Sequence, residues 1–223
     1  GRGPMVYFER IEIRGNTKTR DRVIRREMPI HEGDKFSQTG IDRSKARVTA
    51  LGFFETVDVT YSPGSAKDKV IVTVQVAEKH TGQFQVGMGF STVENIIAQA
   101  QVSEQNFMGQ GQTVSLQAQL SSMRQVFQFN FWEPYFLDSE WTFAFSLFNM
   151  VTAMTDYSKE STGGDITLGH SLVLQDLKLY LAYGLEYDKI NTGADTGLLI
   201  GGQRLSSDFN NLPLAYLFQE GLS

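Results

Sequence analysis

From residue 83 the chain keeps a strict two-residue rhythm. Phe84, Val86, Met88 and Phe90 fall on one side of an extended strand, and Gln83, Gln85, Gly87 and Gly89 fall on the other. The rhythm recurs: Ile96, Ala98, Ala100 and Val102; Val114, Leu116, Ala118 and Leu120; Phe127, Phe129 and Phe131; Trp141, Phe143, Phe145 and Leu147. Ile166, Leu168 and Leu172 form a weaker run interrupted by His170, and residues 177–187 a long one. Seven strands follow from this pattern, each apolar on one face and rich in Gln, Ser, Thr, Gly and Asn on the other. A run of about ten residues is the length a tilted strand needs to cross a bilayer.

Period alone also fits a water-soluble sandwich. The aromatic residues separate the two readings. Phe131, Trp132, Tyr135, Phe136 and Trp141 gather around one turn, the placement expected of an interfacial girdle. Left in water, so many large apolar groups would drive aggregation. Charge supports the membrane reading. Residues 1–79 carry 15 basic and 11 acidic side chains, whereas residues 80–223 carry 5 and 14 over nearly twice the length. The two parts are expected to meet different solvents, with the division between 79 and 80. Turns at 109–112 and 134–140 read as short, and segments 152–164 and 190–207 as long polar loops, the asymmetry of an outer-membrane barrel.

No run of about 18 apolar residues provides a transmembrane helix. There is no cysteine, so neither a disulfide framework nor thiolate metal ligation arises. The opening GRGPM lacks the basic start and apolar core of a leader peptide, which suggests a processed chain or a piece of a longer one. Seven strands are too few to close a barrel, and an open edge in hydrocarbon leaves backbone groups unsatisfied. Further strands beyond Ser223, or in a partner, are therefore expected.

The first 79 residues read as strand, helix, helix, strand, strand. Tyr7, Ile11 and Ile13 share one face of the first strand, and Gly15-Asn16 ends it. Thr17 or Thr19 is the expected cap of a helix carrying Val23, Ile24 and Met28, stopped by Pro29. Ser37 or Thr39 caps a second helix with Ile41, Val48 and Leu51 on its buried stripe. Gly52 suits a left-handed exit, and Phe53 packs back after it. Val57 and Val59, then Val70, Val72, Val74 and Val76, mark two closing strands.

That order, together with RREM at 25–28, EGD at 32–34 and above all LGFFETVDV at 51–59, resembles a polypeptide-transport-associated (POTRA) repeat. HTG at 80–82, QNFMGQGQ at 105–112 and EPYF at 133–136 extend the resemblance to the outer-membrane insertase family, in which POTRA repeats precede a transmembrane β-barrel. The resemblance implies an α+β POTRA domain (βααββ) at 1–79, the last repeat before the barrel. It implies the N-terminal strands of a sixteen-strand antiparallel barrel at 80–223, in the outer membrane of a Gram-negative bacterium with the POTRA domain in the periplasm. It further implies a lateral gate at the first barrel strand, Gln83, Phe84, Gln85, Val86, Gly87, Met88, Gly89 and Phe90. Unfolded outer-membrane proteins would be the clients, outer-membrane lipid the solvent, and accessory lipoproteins the partners, with Arg25, Arg26 and Glu32 as candidate contacts. The family's Arg-Gly-Phe loop has no counterpart in this sequence.

Other functions find little support. Arg20, Arg22, Arg25 and Arg26 are interleaved with Asp21 and Glu27 and lack an aromatic platform, so no nucleic-acid partner is expected. His31, His80 and His170 show no metal spacing, and Gly163-Gly164 opens no phosphate-binding helix. The expectation is a protein without cofactor, metal or catalytic site, in which Lys178 and Glu186 line a water-filled interior. Two alternatives stand beside the insertase: a two-partner secretion pore, and a soluble β-rich adhesin.

Overall fold

A computed structural model describes residues 5–171, 178–192 and 212–213. It divides into two compact units, Gly1–Thr81 with Gln105–Gln112, and Gly82–Glu104 with Thr113–Ser223. The division thus comes after Thr81, and the QNFMGQGQ segment clusters with the first unit.

In the first unit, β1 (Tyr7–Arg14), α1 (Asp21–Arg25), α2 (Gln38–Ala50), β2 (Phe54–Pro63) and β3 (Lys69–Glu78) follow the βααββ order. Strand β3 lies between β1, to which it is parallel, and β2, to which it is antiparallel. Val72, Val74 and Val76 of β3 are buried with Val23, Ile24, Ile41, Val48, Phe53 and Phe54. Gly52 has φ +74 with open space around it, so the chain leaves α2 sharply and both phenylalanines of LGFF enter the core.

Two local expectations change. The register of β1 slips between Phe8 and Arg10, so Phe8 and Ile11 are the deeply buried pair and Tyr7 is only half-buried. A bulge adds one residue and reverses the alternation on one side of it. Helix α1 begins at Asp21 with no side-chain cap, because the two threonines expected to cap it bind a carboxylate instead. Ser37 caps α2 as expected, its hydroxyl accepting from Gly40 N at 3.1 Å.

The second unit is an antiparallel sheet in chain order: β4 (Gly82–Ser91), β5 (Asn95–Phe107), β6 (Gln112–Leu120), β7 (Arg124–Glu133), β8 (Trp141–Ala153), β9 (Tyr157–Ser171) and β10 (Lys178–Thr192). A two-residue β11 (Leu212–Pro213) pairs with β10. Among the described residues the sheet is open, with β4 bonded to β5 alone.

Registers carry the apolar rows across strands. Phe129 pairs with Leu116 and Leu147, and Phe131 with Val114 and Phe145. Ile166 joins Phe145 to Tyr183. The opposite face aligns Ser115, Asn130, Ser146, Asp165 and Gly184.

The expected polar loop at 152–164 is not a loop. Strands β8 and β9 are joined through residues 154–156, and they pair from Ala153↔Ser158 onward. Polar residues there extend the strands past the apolar band, as Asn149↔Thr162 and Thr152↔Lys159 show. Gly163 and Gly164 lie mid-strand, where a Cβ on Gly163 would stand 2.5 Å from the Leu185 carbonyl oxygen. Leu172, Leu177 and residues 193–207 of the other expected loop lie outside the described residues, as does the side chain of Lys178.

Candidate functional site

The residues expected to form a gate strand make up one element, β4, whose register with β5 pairs Phe84 with Val102, Gln85 with Gln101, Val86 with Ala100 and Gly87 with Gln99. Met88, Gly89 and Phe90 continue opposite Ala98, Ile97 and Ile96. Phe84, Val86, Met88 and Phe90 are all strongly exposed on one face, and Gln83 and Gln85 on the other. One backbone edge of β4 is taken by β5. Its other edge presents N–H and C=O groups with no strand beside them among the described residues, a ready template for another extended chain.

The inner face of this edge hairpin is built of carboxamides. Gln85, Gly87, Gln99, Gln101 and Gln117 line a shallow cavity of about 120 Å³. Gly87 is small for a reason: a Cβ there would lie 2.8 Å from Gln99 Nε2 and 3.1 Å from its Cγ. Gln99 therefore folds across its cross-strand neighbour. Gly89 has nothing within 4 Å, so it leaves the edge bare. Further along the same face Lys159 Nζ reaches Asp188 at 2.7 Å and Glu186 at 3.8 Å, and Ser146 donates to Asp165. Glu186 is thus part of an inner-face charge cluster.

The aromatic group is only partly brought together. Phe136 packs on Phe143 at 4.9 Å between ring centroids, Phe131 on Phe145 at 5.3 Å, and Trp141 on His170 at 4.6 Å. Tyr135 sits at the turn between β7 and β8. Trp132 is the exception, since it pairs with Thr113 and Ala144 on the face opposite Phe131. Alternation removes it from the outward belt.

In the first unit, Arg25 and Glu32 do meet, Nη1 to Oε1 at 3.5 Å, with Asp21 also on Arg25 at 3.1 Å. Both grip the backbone of Ile11: its N–H donates to Glu32 Oε1 at 3.0 Å, and its carbonyl accepts from Arg25 Nη2 at 3.1 Å. With Phe8 N donating to Asp34 O and Gly33 N to Phe8 O, segment 32–34 covers the free edge of β1. Arg26 is turned differently. Its guanidinium, shielded from solvent at Nε and Nη2, lies against Gly111.

Sequence reasoning missed Glu78. Its Oε2 accepts from Thr17 N, Thr17 Oγ1 and Lys18 N at 3.1, 2.6 and 2.8 Å, and its Oε1 from Thr19 N at 2.6 Å. Burial alone would raise this carboxyl, but the hydrogen bonds from Thr17, Thr19 and Lys18 outweigh it and hold the pKa at about 2. The same loop holds the 105–112 segment. Asn106 Nδ2 donates to Thr19 Oγ1, Asn106 Oδ1 accepts from Gly111 N at 2.9 Å, and Arg20 N donates to Gly109 O at 2.9 Å. Gly109 has φ +71, and a Cβ there would collide with the Lys18 carbonyl. The only sequence signal was the resemblance of QNFMGQGQ, which marks the residues without their role.

Comparison with known proteins places both units. A family model described as POTRA, surface antigen variable number repeat, matches residues 6–79, and one described as the Omp85 superfamily domain matches residues 106–202. An outer membrane protein assembly factor BamA from Nitratidesulfovibrio vulgaris is 34% identical over 72% of this chain. A crystal structure of BamA from Haemophilus ducreyi lacking POTRA domains 1–3 aligns with TM-score 0.74 and 25% identity, covering 84% of this chain and 36% of that one. CdiB from Acinetobacter baumannii shares the fold, with TM-score 0.56 and 13% identity over 84% of this chain and 38% of its own. The chain spans 20% of the length of the Nitratidesulfovibrio relative.

Proposed function

Because the chain is a BamA-like member of the Omp85 superfamily, with a POTRA domain ahead of its barrel strands, we propose that it works in outer-membrane protein assembly and that β4 is its lateral gate. Its strands belong in the outer membrane of a Gram-negative bacterium and its POTRA domain in the periplasm. The observation that carries the gate is the edge of β4, bonded on one side only among the described residues. An unfolded client strand adds to that edge through main-chain hydrogen bonds, which recognise any sequence able to extend. Outward Phe84, Val86, Met88 and Phe90 keep the edge at the depth of the lipid, where an unpaired backbone group is costly and a pairing strand is favoured. No covalent step is needed.

The exposed Arg25 and Glu32, and Arg26 beside Gly111, are candidate contacts for an accessory lipoprotein. The experiment that tests the gate is a covalent lock. Cysteine at Phe84 or Val86, joined to the closing strand of the complete barrel, abolishes assembly of other barrels until reductant is added. Normal assembly under a complete lock refutes the gate. A two-partner secretion pore, the alternative, would export its substrate through the lumen while locked.

A further inference from the structure

The most exposed large apolar side chain among the described residues is Leu137, at 84%, and it stands in a backbone conformation that leucine rarely adopts. Leu137 has φ 55 and ψ 37, and Asp138 follows with φ 57. Two successive left-handed residues make the type of tight turn for which Asn-Gly is the usual solution. Here the first place is held by leucine, whose Cβ crowds the following carbonyl.

The turn is built to hold that geometry. Asp138 N donates to Tyr135 O at 3.0 Å and Ser139 N to Phe136 O at 3.1 Å; the Ser139 hydroxyl donates to the same carbonyl. Glu133 Oε1 accepts from Tyr135 N at 3.2 Å, and Thr142 Oγ1 donates to Pro134 O at 3.4 Å. Strain of this kind persists only where the surroundings over-determine it, and an observed outlier is a reason to look for a role.

Position supplies the role. Residue 136 lays its ring on Phe143, which shares the apolar face with Phe131, Phe145 and Leu147. Trp141 continues the same face at the end of β8, against His170. Leu137 follows Phe136 in the turn and is almost fully exposed, so large apolar side chains do not stop at the strand ends but continue into the turn. This is the end of the sheet at which the chain enters β4, hence the periplasmic end under the outer-membrane reading. Asp138 and Glu140 beside it are exposed and would remain among headgroups and water.

We propose that the 134–140 turn is a membrane-interface anchor: Leu137 inserts beside Phe136 into the headgroup–acyl boundary of the periplasmic leaflet, and the left-handed pair exists to present it. The proposal rests on the outer-membrane reading for its solvent, but not on the gate. Lipid contact at residue 137 is measured without any client, so failure of the anchor and failure of assembly are seen separately.

The test uses the complete protein in dilauroyl phosphatidylcholine vesicles, spin-labelled at Leu137→Cys, with Asp156→Cys at the far turn as a water reference. The expected result is a label relaxed by dissolved oxygen and at least about fivefold less accessible to a water-soluble nickel chelate than the reference. Equal nickel access at both sites overturns the proposal, as does protection that appears only when a periplasmic protein is added. Should the labelled variant fold poorly, the order of urea midpoints decides. With lipid contact, Leu137→Phe keeps the midpoint and Leu137→Asn lowers it. In water, asparagine suits the left-handed position better, and the order reverses.

Discussion

Asn106 Nδ2 donates to Thr19 Oγ1 at 2.8 Å, and both residues are 2% exposed although 87 positions apart in the chain. The bond places the turn between β5 and β6 in the same compact unit as the POTRA core. Replacing Asn106 by Ala removes this donor to Thr19 and the acceptor of Gly111 N, and puts alanine at φ +66, a conformation asparagine adopts more readily. A buried Gly111 N–H left without its acceptor and a strained residue together cost about 2–4 kcal/mol. Hydrogen exchange of the first unit's amides checks this: protection falls in β3 and the 17–20 loop, while Gly109→Ala, which meets the Lys18 carbonyl, gives a loss at least as large.

Glu78 makes the first unit acid-sensitive. Its carboxyl is held at about 2 against an ordinary 4.5, so its contribution is complete above pH 4.5 and is lost as pH falls from there towards 2. The full difference corresponds to about 3 kcal/mol, and solvent screening of this half-buried group reduces it to about 1–2. Glu78→Gln is therefore less stable at pH 7 by about that amount and shows a flatter stability curve between pH 4.5 and 2. Denaturant unfolding of the POTRA unit at several pH values provides the readout.

These two sites mark the limit of what the sequence disclosed. The βααββ order, the LGFF anchor and seven strands were legible, because each rests on spacing within a dozen residues: Val72, Val74 and Val76, or Phe127, Phe129 and Phe131. Thr17 and Thr19 were misread as helix caps because their partner, Glu78, is some 60 positions away. Residues 152–164 read as a loop because polar composition signals solvent, and strands that outrun the bilayer are solvated too. The bulge at Glu9 in β1 left no mark in the pattern, since one extra residue shifts the phase without changing the composition. For the proposed gate strand, the alternation of residues 83–90 gave the faces, but the open edge needed the pairing.

Gly87 and Gly89 differ despite their symmetric spacing. Gly87→Ala pushes on Gln99 and costs about 1–2 kcal/mol, whereas Gly89→Ala enters open space and is neutral or mildly stabilising. Adding Gln99→Ala to Gly87→Ala removes the clash. A double-mutant cycle on unfolding from vesicles finds coupling of about 1 kcal/mol at 87 and 99, and none between 89 and 99.

Gly163 tolerates no side chain, because a Cβ meets the Leu185 carbonyl at 2.5 Å and Phe148 Cζ at 2.8 Å. Backbone cannot rotate away as a glutamine tip can. Gly163→Ala separates β9 from β10 locally and costs about 2–3 kcal/mol, read as lowered yield of folded protein in detergent and a lower unfolding midpoint.

Whether clients meet the edge of β4 is decided by photocrosslinking in living cells. A photoreactive residue at Gln85, in the singly paired strand, should trap a nascent outer-membrane protein. One at Ser146, paired on both sides through Asn130 and Asp165, should not. Client adducts at Ser146 equal to those at Gln85, or none at Gln85 while assembly proceeds, would contradict strand addition at the gate.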